Sequence, residues 1–274
     1  MISFFQKVDL DRLNSATKYP SIPTYHALGE RGRLTDVVQV PFGPDDDVLA
    51  TEKIDGANTR IVIHQEGTCL IGSREEWLWH SDDLLANPAG QIVEAARAVA
   101  DKIRNNQDLL RSGVTVWYGE TYGGKVTAGS KNYTGTGKLG IRFFDIARFD
   151  LQLDIIKRMT VAEIASWRDH GGQQFVQHED FLIDCYRAGV DRVPGLAFSR
   201  AFLPDDLPGT LREARTRLPH TYSALDPLQV GPGAPPASES ARRKPEGIVI
   251  RTADRKKIAK IRFEDYERAL RKGP

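Results

Sequence analysis

The stretch Thr51-Glu52-Lys53-Ile54-Asp55-Gly56-Ala57-Asn58 sets a lysine two places before an aspartate and three before a glycine. The apolar pair Val48-Leu49 precedes it and Thr59-Arg60-Ile61-Val62-Ile63 follows, so it reads as a turn between two strands. A lysine desolvated at the mouth of a sheet can give up its proton. Its free amine is then a nucleophile toward phosphorus. The same residues also suit a plain strand-edge turn with Gly56 at positive φ, so the chemistry needs support from elsewhere in the chain.

Four further segments supply it. Trp117-Tyr118-Gly119-Glu120-Thr121-Tyr122-Gly123 follows the β-rich Val114-Thr115-Val116, and Phe143-Phe144-Asp145-Ile146 closes another strand-like run. Glu246-Gly247-Ile248-Val249-Ile250-Arg251 opens a third, and Ile258-Ala259-Lys260-Ile261-Arg262 ends a fourth. Glu120 and Glu246 stand beside glycines at strand ends, where a carboxylate can hold a metal or a ribose and the glycine allows close approach. Asp55 is a third such carboxylate. Lys260 and Arg262 are two apart, share one strand face and could clamp a phosphate. Phe143 and Phe144 alternate faces, so one of them can present its ring to a purine.

In this order the five segments resemble the motif series of the covalent nucleotidyltransferases, which comprise ATP-dependent DNA ligases, RNA ligases and mRNA capping enzymes. Glu-Lys-Ile-Asp-Gly-Ala-Asn is most similar to the nick-sealing RNA ligases of phages. The resemblance runs from about Lys18 to Arg268, and 148–244 carries little of it. It implies that Lys53 attacks ATP to form a lysyl-AMP phosphoramide, with Lys260 and Arg262 on the α-phosphate. It implies a Mg²⁺ or Mn²⁺ held by Glu246 and Asp55, with Glu120 on the ribose or the hydrated metal. Phe144, the aromatic before the motif aspartate, would stack on adenine, and Glu52 would accept from its exocyclic amine, favouring ATP over GTP. Arg74 would touch the ribose, and Asn58 the triphosphate or the RNA end.

The implied activity is ATP-dependent joining of RNA 5′-phosphate and 3′-hydroxyl ends through lysyl-AMP and RNA-adenylate. A DNA ligase or a GTP-using capping guanylyltransferase is an alternative. Those carry an OB-fold after the last motif, and only twelve residues follow Arg262, so no C-terminal OB-fold is expected. A non-catalytic RNA-binding module is the other alternative; binding alone does not need Lys53, Glu120, Glu246 and Lys260 together.

Positioning these groups calls for an α+β nucleotidyltransferase fold of antiparallel sheets flanked by helices, as a single adenylyltransferase domain over residues 1–274. Residues 1–47 hold too few apolar side chains for a separate domain and should pack on the core. Pro88 to Leu110 reads as an amphipathic helix through Ile92, Ala95, Val99 and Ile103. Thr160 and Glu163 form a capping box before a second helix stopped at Gly171-Gly172. A third helix covers about Phe181 to Ala188, and a short one Glu264 to Lys272. Residues 226–245, rich in Gly, Pro, Ala and Ser, read as a flexible loop.

The chain has 274 residues, 40% hydrophobic and 27% charged, with net charge +1. That balance suits a soluble globular protein with no global field for nucleic acid. Any polyanion contact must be local, and Lys125, Lys131, Lys138 and Arg142, interleaved with Gly, Ser, Thr and Tyr133 in a loop over 124–142, are the candidates for RNA phosphates. So small a cationic patch predicts a weak, salt-sensitive grip and a partner protein for sealing. Two cysteines, Cys69 and Cys185, lack metal spacing and fit buried thiols of a cytoplasmic protein. The six histidines show no paired ligand spacing and are given no chemistry. No run approaches a membrane span or a signal peptide.

Overall fold

The computed structural model describes residues 4–80, 83–85, 91–150, 152–226 and 243–271. The chain groups into two compact units. The first holds Met1–Ser21, Gly56–Thr127 and Leu139–Arg192; the second holds Ile22–Asp55, Ala128–Lys138 and Val193–Pro274. Pro88 and most of the 226–245 segment (227–242) lie outside the described residues.

The first unit is built on a seven-stranded antiparallel sheet. Its strands are β4 (Ala57–His64), β5 (Cys69–Gly72), β6 (Trp77–His80), β7 (Asp83–Leu84), β8 (Val114–Gly123), β9 (Leu139–Phe149) and β10 (Gln174–Phe175), in the order β10-β9-β8-β4-β5-β6-β7. One face buries Ile61, Ile63, Trp117, Phe143 and Ile146 against helices α2 (Ile92–Arg104) and α5 (His178–Ala188). The buried stripe of α2 is Ile92, Ala96, Ala100 and Ile103, one residue on from the expected Ala95 and Val99. The helix ends at Arg104, because Asn105 caps it and a separate 3-10 turn spans Gln107–Leu109. α5 begins at His178, three residues before the expected Phe181, and ends at Gly189, which adopts the left-handed conformation.

The opposite face of this sheet is covered by residues 14–21, which comprise the second half of helix α1 (Leu10–Thr17) and the segment after it. The fully buried Arg60 fastens them, donating to Asn14 O and Thr17 Oγ1, each at 2.8 Å, and to Ser73 O at 2.9 Å. Its guanidinium also lies over the Trp77 ring. Helices α3 (Gln152–Ile156) and α4 (Val161–Asp169) complete the unit, and α4 opens on the expected Thr160–Glu163 capping box.

The second unit carries a two-stranded ribbon, β1 (His26–Leu28) and β2 (Leu34–Val38). Its four-stranded antiparallel sheet is ordered β11-β3-β12-β13, with β3 Val48–Lys53, β11 Gly195–Leu196, β12 Gly247–Thr252 and β13 Ile258–Arg262. Strict alternation of β3 and β13 buries Val48, Ala50, Ala259 and Ile261 on one face. Those side chains pack with Tyr25, Leu34, Phe42, helix α6 (Leu207–Arg217) and helix α7 (Phe263–Leu270). Residues 22–47 are therefore part of this core, as 4–21 are part of the first. Among the described residues no helix is long and apolar enough to cross a membrane.

Candidate active site

The sheet of the second unit assembles the cations that the sequence singles out. Register sets Lys53 opposite Gly247 and Gly247 opposite Arg262, with Thr51, Val249 and Lys260 in the next row but one. Directly paired residues point to the same face, so Lys53, Lys260 and Arg262 stand on one surface, away from the apolar core. Gly247 lies between Lys53 and Arg262 without a side chain, and a Cβ there would overlap Ile261 O. Glu246, at the mouth of β12, bonds to both: Lys53 Nζ donates to Glu246 Oε2 at 2.6 Å and Arg262 Nε donates to Oε1 at 3.0 Å. Burial, with the Lys53 charge nearby, holds the Lys260 ammonium below the ordinary lysine range, against the pull of Asp265 and Glu246.

Glu52 takes the other face of β3 and is buried. Its carboxylate accepts from Thr221 Oγ1, from the Tyr222 amide at 3.1 Å and from Ser223 Oγ at 2.8 Å. The residue expected to read an adenine amine thus already anchors a protein segment, and sequence gave no sign of these partners. Just beyond Lys53, the Asp55 amide donates to the Tyr133 hydroxyl at 2.7 Å.

Gly56 does not have a positive φ. Its glycine character serves close approach instead, since a Cβ would overlap Thr121 O and crowd Glu120 Cγ.

In the first unit, Asn58 and Glu120 are direct partners across β4 and β8. Asn58 Oδ1 is buried and accepts no hydrogen bond. On the same face a β-bulge between Tyr118 and Gly119 lets β9 turn Phe144 out of alternation. Phe143 is fully buried against Trp117, whereas Phe144 is half-buried and meets Tyr19 edge to face with centroids 4.9 Å apart. Tyr19 in turn donates to Asp145 Oδ2 at 2.6 Å. Arg74 is exposed, donates to Ser21 Oγ at 2.6 Å, and borders a cleft of about 660 Å³ with Lys18, Tyr19 and Arg168.

The stretch 124–142 is not one loop. Lys125 belongs to the first unit and is exposed; Lys131 and Lys138 belong to the second and are exposed. Arg142 lies in β9, donating to the Tyr122 hydroxyl at 2.9 Å and to Arg192 O at 3.0 Å. Residues 128–132 form a 3-10 helix, and Ser130, Tyr133 and Thr134 are buried. Hydrogen bonds from backbone and hydroxyl groups hold the segment.

No curated protein matches the sequence. Three solved structures of Naegleria gruberi RNA ligase mutants are similar to it. Two, determined with ATP and Mn, share 15% and 16% identity at TM-scores of 0.50 and 0.51. They cover 90% and 93% of this chain and 63% and 62% of their own. The third, an apo mutant, gives 16% identity and a TM-score of 0.51, covering 90% of this chain and 62% of its own. The chain thus spans about three fifths of those proteins, and the likeness is one of fold, an α+β nucleotidyltransferase type. The family model for RNA ligase matches residues 46–262, a span that holds the lysine turn, both glutamate strands and the terminal cation strand. The chain belongs to the RNA ligase family.

Proposed function

We propose that this chain is an ATP-dependent RNA ligase. The observation that carries the reading is the row Lys53, Gly247, Arg262 on one sheet face, with Glu246 bonded to both cations. Three steps follow. The Lys53 amine attacks the α-phosphorus of ATP; an N–P bond forms, the bond to pyrophosphate breaks, and the amine proton passes to a base. Glu246 Oε2 is already within reach of that proton. An RNA 5′-phosphate then displaces lysine to give RNA-adenylate. A 3′-hydroxyl finally attacks the 5′-phosphate and releases AMP. Lys260 and Arg262 neutralise phosphate charge as it develops.

The carboxylates of Glu246, Asp55 and Glu120 are hard oxygen donors that fit Mg²⁺ or Mn²⁺. Among the described residues no group of three or more such ligands is assembled in advance. Phosphate and water oxygens would complete the shell, as is usual for Mg²⁺. When bound, the metal would offset phosphate charge. The Naegleria gruberi structures, determined with ATP and Mn, support both the nucleotide and the metal.

Asn58, whose amide oxygen is buried without a partner, is assigned to the triphosphate or RNA end. Phe144 is assigned to the base and Arg74 to the ribose. For Glu52 to read the adenine amine, Thr221 or Ser223 must yield its place as donor. Lys125, Lys131, Lys138 and Arg142 are assigned to RNA phosphates, with a weak grip, dependence on salt and a partner protein for efficient sealing. The two free, buried cysteines favour a cytoplasmic setting. A single domain remains our reading of the whole. Incubating the purified chain with labelled ATP or GTP, then 5′-phosphate RNA across a salt series, tests these points. Labelling by GTP alone would move the chain to the capping reading, and efficient sealing insensitive to salt would remove the weak grip and the partner.

A further inference from the structure

The turn that follows Lys53 is held from outside its own strand. Asp55 donates its backbone N–H to the Tyr133 hydroxyl at 2.7 Å, and Tyr133 is fully buried. Three further hydrogen bonds brace Tyr133 itself. Its carbonyl accepts from the Leu225 amide at 2.8 Å and from Arg243 Nη1 at 3.2 Å. Its amide donates to Ser130 O at 3.0 Å, closing the 3-10 turn of 128–132. From that turn Gly129 lies directly on the Asp55 carboxylate, where a Cβ would overlap Oδ2.

We propose that Tyr133, with Gly129, is a positioning residue that fixes the Lys53-Ile54-Asp55 turn and so aims the Lys53 amine. The inference rests on Lys53 being the nucleophile. Its logic is geometric. An amine at the end of a four-carbon stem attacks productively only if its backbone is fixed to a fraction of an ångström. Upstream, the β3 ladder fixes Lys53 through Gly247. Downstream, two residues on, the Asp55 amide is fixed by Tyr133. A tyrosine hydroxyl held by its own buried ring is a stiffer acceptor than water. A glycine at 129 is the residue type that lets the Asp55 carboxylate rest against main chain. Neither residue needs to touch ATP for this work.

The test uses the full chain with radiolabelled ATP, scoring formation of the covalent adduct at saturating and limiting nucleotide and across pH. Tyr133→Phe removes one oxygen and keeps the ring. It should slow adduct formation at saturating ATP about tenfold, with KM for ATP within about twofold and a pH profile of unchanged shape. Gly129→Ala, which pushes on Asp55 from the other side, should do the same. A near-parent rate in Tyr133→Phe overturns the inference. So does a rise in KM at unchanged maximal rate, or a displaced pH profile. If Tyr133→Phe fails to fold by near-UV circular dichroism, Gly129→Ala decides by the same criteria. Lys53→Ala is run alongside. A labelled Lys53→Ala chain means the nucleophile itself is misassigned, whereas an unlabelled one beside a full-rate Tyr133→Phe means only the positioning role is wrong.

Discussion

Lys53 Nζ and Glu246 Oε2 are 2.6 Å apart although 193 residues separate them in sequence. The register of β3 against β12, which sets Lys53 opposite Gly247, brings the pair together. Because the carboxylate also accepts from Arg262 Nε, it is held in orientation against Lys53.

Glu246→Gln keeps the shape and removes the charge. Formation of the covalent adduct should fall about a hundredfold or more, the scale of a lost base or charge partner. Stability should drop by roughly 1–3 kcal/mol, since a mostly buried pair loses its anion. Rapid-quench labelling and urea melts measure the two effects. An unchanged labelling rate would show that Glu246 only braces Lys53 and Arg262.

Lys260 makes a pH prediction. Its folded pKa lies below the ordinary lysine value of 10.5, chiefly through burial and then through Lys53. Between the lowered folded pKa and 10.5 the unfolded chain binds more protons than the folded one, so this group adds stability as pH rises through that window. At neutral pH it is a full liability. Lys260→Met should therefore be more stable than the parent at pH 7, and the difference should shrink as pH climbs toward the window's upper end. Urea midpoints at matched pH values measure it. The same variant should label poorly, because a cation kept at a cost to stability is there for phosphate.

Glu52 holds three donors in the segment 221–223, of which Thr221 and Ser223 are buried. Glu52→Ala strands two hydroxyls and an amide, and should cost about 2 kcal/mol or more in a chemical melt. If the carboxylate also reads the adenine amine, the preference for ATP over GTP should weaken in the same variant. Lost stability with discrimination intact would assign Glu52 to the segment alone.

Two neighbouring phenylalanines should behave oppositely. Phe143→Ala empties a core position packed on Trp117 and should cost about 3–5 kcal/mol in stability. Phe144→Ala should leave the melt nearly unchanged and raise KM for ATP severalfold to tenfold, through the lost stacking face. Equal loss of stability in both would place Phe144 in the core.

Much of this arrangement was legible in the chain. Residue types at short spacing gave the turn around Lys53, the shared face of Lys260 and Arg262, and the capping box at Thr160, because strand period and helix caps are local properties. Alternation also limited the pocket to one of Phe143 and Phe144, though the bulge that turns Phe144 outward left no mark. What was hidden depends on contacts between distant segments. Glu52 read only as an acceptor for the adenine amine because its protein donors lie some 170 residues away. Tyr133 read as part of a soluble loop because the bond to Asp55 that buries it is tertiary. Gly56 looked like a positive-φ turn residue, since the close approach of Thr121 O is invisible without β8. Arg60, a buried cation with carbonyl and hydroxyl partners, had no local signature at all.

The central claim is that Lys53 carries AMP. The purified chain is incubated with α-labelled ATP and a divalent cation, denatured, and resolved by electrophoresis beside Lys53→Ala. The parent should give a covalent band that is stable to denaturant, and Lys53→Ala should give none while still folding, with a thermal midpoint lowered by the lost pair with Glu246. A band of equal strength on folded Lys53→Ala would contradict the central claim.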